Sequence, residues 1–211
     1  MSDFKHLISR RSGAVEHLTL NRPEVRNAFD DRLIVEITSW AGDIARDASV
    51  RVVVMSGAGE SFCAGADLNW MRKMAGYSDE ENLRDAEAAA RMFAEIDRLP
   101  VPVIAPYVLA KIGMSAAREL FLTGRRFGAE HAARIGLVHA VVPAERLDET
   151  VNGYVEDVLA AGPEAIAAAK LLLRRIAAIS GEDAAALTAA AIAERRASAE
   201  ARDRIRAFLK G

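Results

Sequence analysis

The stretch ESFCAGADLNW, Glu60 to Trp70, follows a β-branched run, VRVVVM, that ends at Met55. It carries neither the Lys of a phosphate loop nor the motif of a nucleophilic Ser. What small residues such as Ala64, Gly65 and Ala66 can do is aim backbone N–H groups at a ligand that comes close, and Gly65 permits dihedrals a larger residue resists. If a helix begins just afterwards, its first N–H groups are unpaired and partly positive. Such a turn is an oxyanion hole, where loss of one donor costs roughly 10²–10³ in rate. The plainer alternative is a tight strand-to-helix connection with no ligand, since glycine-rich turns are common.

The elements around the turn follow from patterning. Val50 to Met55 reads as a strand buried on both faces. Ala14 to Leu20 alternates as a strand and is stopped by NRPE at Asn21 to Glu24. Asp30 caps a helix with Leu33, Ile37, Trp40, Ala41 and Ile44 at helical spacing. Ser78 and Glu81 form a capping-box pattern that opens a helix with Leu83, Ala86, Ala90, Phe93 and Ile96 on one face. Pro100 and Pro102 end it, and Val103 and Ile104 start another strand. This alternation predicts an α/β protein with parallel crossovers. Beyond Pro106, Gly113 to Leu122 and Ala129 to Ile135 read as short helices, the second ended by Gly136. Leu137 to Val142 reads as a short strand. From Ala144 onward the chain is Ala-, Leu-, Glu- and Arg-rich helix, restarted by Pro163 and divided by Gly181. That is more amphipathic helix than one small sheet covers, so part of it is expected to pack on a neighbouring subunit.

Composition narrows the function. At 211 residues, 51% hydrophobic and 27% charged, the chain is of ordinary globular type. Its net charge of −2 makes no case for nucleic acid. A lone Cys63 cannot close an internal disulfide, which fits a reducing compartment. The first residues hold no apolar run of signal-peptide length, and no stretch reaches the ~20 apolar residues of a membrane span. A cytoplasmic location is expected.

Other candidates have plainer explanations. Cys63 could be a nucleophile, but no motif sets a His beside it, and a free Cys is usually a small buried hydrophobe. His6, His17, His131 and His139 lack metal-ligand spacing, so no metal is expected. Glu80, Glu81, Asp85 and Glu87 suit a solvated helix start. Arg174, Arg175, Arg195 and Arg196 read as exposed helix charges. Trp70, Met71 and Met74 could border an acyl pocket or simply pack.

Three stretches carry a family resemblance: NRPEVRNAFD (Asn21 to Asp30), VVVMSGAGESFCAGADL (Val52 to Leu68) and LFLTGRRFGAEHAARIGLVHAVVP (Leu120 to Pro143). Together, and in this order, they resemble the enoyl-CoA hydratase/isomerase, or crotonase, superfamily. FCAGADLNWM further resembles bacterial methylglutaconyl-CoA hydratases. The resemblance implies an α/β crotonase (ClpP-like) spiral of strand–strand–helix turns with a helical C-terminal oligomerisation region, a CoA-thioester substrate, and a homotrimer or hexamer. It implies no cofactor beyond the coenzyme A of the substrate. The spiral core would occupy residues 1–143 and the helical region 144–211. By the same resemblance Ala66 supplies one oxyanion N–H, while Ala64, Asp67 and Leu68 line the adenine and pantetheine path. Val25, Arg26 and Ala28 would contact the ribose–phosphate end of CoA, and Phe208 and Lys210 would reach a neighbour's nucleotide pocket.

The family pattern also leads one to expect, after PVPVIA, a glycine triplet with the second oxyanion N–H, an ACD-type strand, two glutamates and a GLxP turn. Here Ala105 runs straight into Pro106, as though a central segment were absent between them. At least one strand–helix–strand unit, roughly 30 residues, would fill the gap. Hydration of an enoyl thioester needs a carboxylate for water, an acid for the α-carbon and two carbonyl donors. Either this sequence lacks a segment that the natural chain has, and a hydratase is expected, or the deletion is real and the chain binds CoA thioesters without turning them over. A double-bond isomerase, which needs one base, is the other alternative.

Overall fold

The computed structural model describes residues 4–104, 112–113, 116, 119–120, 122–177 and 181–209. It opens on a hairpin, β1 (Leu7–Ser12) and β2 (Val15–Leu20), paired antiparallel with Ser12 opposite Val15 across Gly13 at φ +57°. Patterning does not reveal β1, because exposure rises along it from buried Leu7 to exposed Arg10, Arg11 and Ser12 instead of alternating. A 3-10 turn, Pro23–Val25, leads into α1 (Asp31–Arg46). Asp30 caps α1 as expected, its carboxylate accepting the Leu33 N–H at 2.8 Å. Leu33, Ile34, Ile37, Trp40, Ala41 and Ile44 are buried along one face. Burial of each of the larger of these side chains contributes about 1.5–3 kcal/mol.

The chain returns as β3 (Val52–Gly57), parallel to β2 with Val15 opposite Val52 and Leu20 opposite Gly57. This β2–α1–β3 passage is the expected parallel crossover, and Val52 and Val53 are wholly buried in it. α2 (Leu68–Met74) and α3 (Asp79–Arg98) follow, then β4 (Val103–Ile104), giving the sheet order β1-β2-β3-β4. Ser78 and Glu81 form the capping box reciprocally.

Of the face expected for α3, only Ile96 is buried. Met92 and Ile96 are its buried residues, while Leu83 stays 60% and Phe93 43% exposed. Only the C-terminal half of α3 lies against the core. The apolar stripe Leu83, Ala86, Ala90, Phe93 therefore turns outward, although the Phe93 ring meets Phe29 edge-on at 5.9 Å.

The chain forms two compact units, one of Met1–Val103 with Val155–Gly211 and one of Ile104–Tyr154. In the second, α4 (Ala129–Arg134) ends at Gly136, whose φ is +75°. Leu137 to Val142 is not a strand. Leu137, Val138 and Val142 are only half-buried, and no described strand offers the backbone partner that a ladder requires. The helix expected over Gly113 to Leu122 lies largely outside the described residues.

The C-terminal helices are α5 (Leu147–Ala160), α6 (Pro163–Ile176), α7 (Gly181–Arg196) and α8 (Ala199–Phe208). Within the first unit, Lys170 donates to the carbonyls of Leu99 and Val101 at 2.8 and 2.9 Å, and Arg51 to that of Ala161 at 2.6 Å. The Glu200 carboxylate accepts the Glu164 and Ala165 N–H groups that open α6. These bonds tie the end of the chain to the sheet's unit. Among the described residues no helix is long and apolar enough to cross a membrane, and no cluster of three metal-ligand side chains occurs.

Candidate active site

The turn after β3 is stitched to the loop after β2. Ala64 N–H donates to Arg26 O at 2.9 Å, Phe29 N–H to Gly65 O at 2.7 Å, and Asp67 N–H to Phe29 O at 2.8 Å. Phe29 and Ala66 thus form a single parallel bridge. The bridge dictates where the remaining donor points. Gly65 C=O and Ala66 N–H belong to one planar trans peptide, so fixing the carbonyl on Phe29 turns the Ala66 N–H the opposite way. That N–H, like the Leu68 N–H, meets no acceptor among the described residues. Ala64, Gly65 and Ala66 are exposed, and Gly65 sits at φ +90°. The turn is open to a ligand.

The loop that holds it is built around Asn27, which is fully buried. Arg26 and Asn27 are both left-handed, at φ +53° and +56°, and Asn is among the few residues that tolerate this. Asn27 Oδ1 accepts the Arg22 N–H at 2.8 Å, while Nδ2 donates to Ala58 O at 2.9 Å and Ser61 O at 2.7 Å. Gly57 makes room for this: a Cβ there would lie 2.5 Å from Ser61 O and 2.7 Å from Asn27 Nδ2.

Arg22, 9% exposed, is the other anchor. Its Nη1 donates to Ala28 O at 2.6 Å, and its Nη2 lies 3.0 Å from both Asp30 Oδ2 and Asp67 Oδ2. Asp67, 5% exposed, also caps α2, with Oδ1 accepting the N–H groups of Asn69 and Trp70 at 2.7 and 3.3 Å. Burial pushes its pKa up, but those two N–H groups and the Arg22 guanidinium outweigh burial and hold it below the ordinary value. Cys63 is half-buried; burial pushes its thiol pKa up, and its Sγ accepts the Gly65 N–H at 3.4 Å. An activated nucleophile would show the opposite shift.

Of the residues singled out from sequence, Val25, Arg26, Ala28, Ala64, Ala66, Asp67 and Leu68 converge here. Val25 ends the 3-10 turn, Ala28 is buried with its carbonyl on Arg22, and Leu68 opens α2 with its side chain 70% exposed. The Asp67 carboxylate is fully engaged, so what it offers outward is backbone. Phe208 ends α8, but its side chain, like all of Lys210, lies outside the described residues. Arg22 and Asn27 were missed. Their only local signal is a polar pair flanking PEVR, where Pro23 marks a turn and Asn can take its left-handed residue.

The chain belongs to the enoyl-CoA hydratase/isomerase family, whose model matches residues 10–108 and again 105–210. The crystal structure of an enoyl-CoA hydratase from Shewanella pealeana superposes with a TM-score of 0.92 at 26% identity, covering 99% of this chain and 94% of that one. A short-chain-enoyl-CoA hydratase from Clostridium acetobutylicum is 25% identical over 253 positions, covering 99% of this chain and 96% of that protein. A trans-2-decenoyl-[acyl-carrier-protein] isomerase from Streptococcus mutans is 28% identical over 198 positions, covering 72% and 75%. The fold is the α/β crotonase fold with its helical C-terminal region. The Clostridium alignment is longer than this chain: 99% of 211 residues is about 209, so about 44 of its 253 positions face gaps here.

Proposed function

We propose that the chain is a crotonase-type acyl-CoA lyase that hydrates a 2-enoyl-CoA thioester, with 3-methylglutaconyl-CoA in leucine degradation as its specific substrate. The outward-turned Ala66 N–H, without an acceptor among the described residues and beside the Val25–Ala28 loop, carries this reading. A thioester carbonyl accepting that bond is polarised, so water adds at the β-carbon while charge gathers on the carbonyl oxygen as an enolate. Protonation of the α-carbon then gives the 3-hydroxyacyl thioester. Ala64, Asp67 and Leu68 line the pantetheine path, Val25, Arg26 and Ala28 the ribose–phosphate end, and Phe208 and Lys210 a neighbour's nucleotide. FCAGADLNWM and the exposed Leu68 and Met71 at the mouth of α2 support the choice of acyl group. Leu171, Leu173, Ile192 and Ile205, all exposed, support a homotrimer or hexamer. The lone Cys63 supports a cytoplasmic location.

Water activation and α-carbon protonation need free carboxylates. Asp30 and Asp67, the carboxylates that flank the Phe29–Ala66 bridge, are both held by Arg22. The second carbonyl donor and the two glutamates are matched by no residue of this chain, and hydration depends on the central segment that would hold them. The two family matches that meet at 105–108 and the gapped positions favour a second reading, a CoA-thioester-binding or assembly subunit without turnover. The Streptococcus relative keeps an isomerase in view.

One assay separates these. Purified 211-residue chain is mixed separately with crotonyl-CoA, 3-methylglutaconyl-CoA and a 3-enoyl-CoA while calorimetry reads binding and the conjugated enoyl-thioester absorbance is followed. Its loss establishes the hydratase. Binding with no absorbance change in any of the three establishes the silent subunit, and a gain of conjugation from the 3-enoyl-CoA establishes the isomerase. Absence of binding refutes all three.

A further inference from the structure

We infer that Arg22 is the positioning residue of the carbonyl donor, holding the Ala66 N–H in the direction a thioester oxygen requires; this rests on the assignment of Ala66 proposed above. The bridge that aims Ala66 runs through one residue, Phe29, whose N–H fixes the Gly65 carbonyl and whose carbonyl fixes the Asp67 N–H. Arg22 grips the chain on every side of that bridge. Its guanidinium binds the carbonyl of Ala28, just before Phe29, and the carboxylate of Asp30, just after it. On the facing strand of the bridge it binds the carboxylate of Asp67, just after Ala66.

Each carboxylate splits its two oxygens between two duties. Asp30 Oδ1 caps α1 and Asp67 Oδ1 caps α2, while both Oδ2 atoms face Nη2 of Arg22. One planar cation thus locks two helix starts and the donor peptide between them. Lysine cannot replace it, because an ammonium is a point charge on a flexible stem and does not reproduce a fork with fixed directions. The Val25–Ala28 loop belongs to the same body, through the Ala28 carbonyl and through Asn27 Oδ1 on the Arg22 N–H. The segment assigned to the nucleotide end and the donor at the thioester end are therefore one rigid piece.

The test uses butyryl-CoA, saturated and so inert to hydration, with a ¹³C-labelled thioester carbonyl. Infrared difference spectra give the carbonyl stretch of the bound ligand, and calorimetry gives its affinity. Bound to the parent chain, the stretch is expected below its solution frequency. In Arg22→Lys and Asp67→Asn, each saturated at a concentration set by calorimetry, it is expected to return most of the way to the solution value. Asp67→Asn keeps the capping oxygen and turns the oxygen facing Arg22 into an N–H donor that the guanidinium cannot bind, so it carries the test if Arg22→Lys does not fold. A downshift unchanged in the folded variant overturns the role of Arg22 and leaves Ala66 as donor. A parent chain that binds butyryl-CoA without a downshift removes the donor assignment, and the role of Arg22 with it.

Discussion

The Asn27 side-chain amide donates to the carbonyl of Ser61, 34 residues further along the chain, at 2.7 Å. Through this bond and its partner on Ala58, a fully buried residue of one loop shapes the start of the other. Asn27→Ala leaves two carbonyls and the Arg22 N–H without their partner, at an expected cost of about 3 kcal/mol. Asn27→Gly loses the same bonds but accepts φ +56° without strain. Urea denaturation should therefore rank parent above Asn27→Gly, and Asn27→Gly above Asn27→Ala.

Two glycines of the same region should respond differently to Ala. At Gly57 an added Cβ meets the backbone oxygens of Ser61 and Phe62, which cannot move without displacing the turn. Overpacking of this kind costs about 3 kcal/mol. At Gly65 nothing lies within 4 Å, and only the φ of +90° resists, at about 1–2 kcal/mol. Thermal melts should show the larger loss for Gly57→Ala.

The Arg22–Asp67 pair makes stability depend on acid. Because folding lowers the Asp67 pKa, its contribution is whole above the ordinary value of 3.8 and is lost as pH falls from there through the lower folded value. Asp67→Asn should be less stable than the parent near neutrality, and the difference should shrink in that acid window. Urea midpoints measured from neutral to acid pH check this.

Cys63 should be a sluggish thiol. Burial raises its pKa, so less of it is thiolate at neutral pH than in a free thiol. Iodoacetamide should label it more slowly than glutathione, and the gap should narrow as pH rises.

Local chemistry was well recorded in the sequence. The Asp30 cap, the Ser78–Glu81 capping box, the buried valines of β3 and the left-handed Gly65 all act within a few residues of themselves. What was hidden depends on distant partners. The bonds from Arg22 to Asp67 and from Asn27 to Ala58 and Ser61 reach 31 to 45 positions along the chain, and the short PEVR turn between the two residues does not announce those partners. The outward stripe of α3 follows the helical period as well as a buried one would; only the core decides which face is covered. Leu137 to Val142 is apolar enough for a strand but has no ladder partner among the described residues.

The central claim is that the Ala66 N–H binds a thioester carbonyl, and amide NMR tests it most directly. Uniformly ¹⁵N-labelled chain is titrated with butyryl-CoA and, separately, with free CoA, which shares the nucleotide and pantetheine but has no carbonyl at sulfur. The Ala66 amide proton is predicted to move downfield with butyryl-CoA and to move far less with CoA, while Val25, Arg26 and Ala28 respond to both. An Ala66 amide that stays in place as butyryl-CoA saturates the chain would contradict the account.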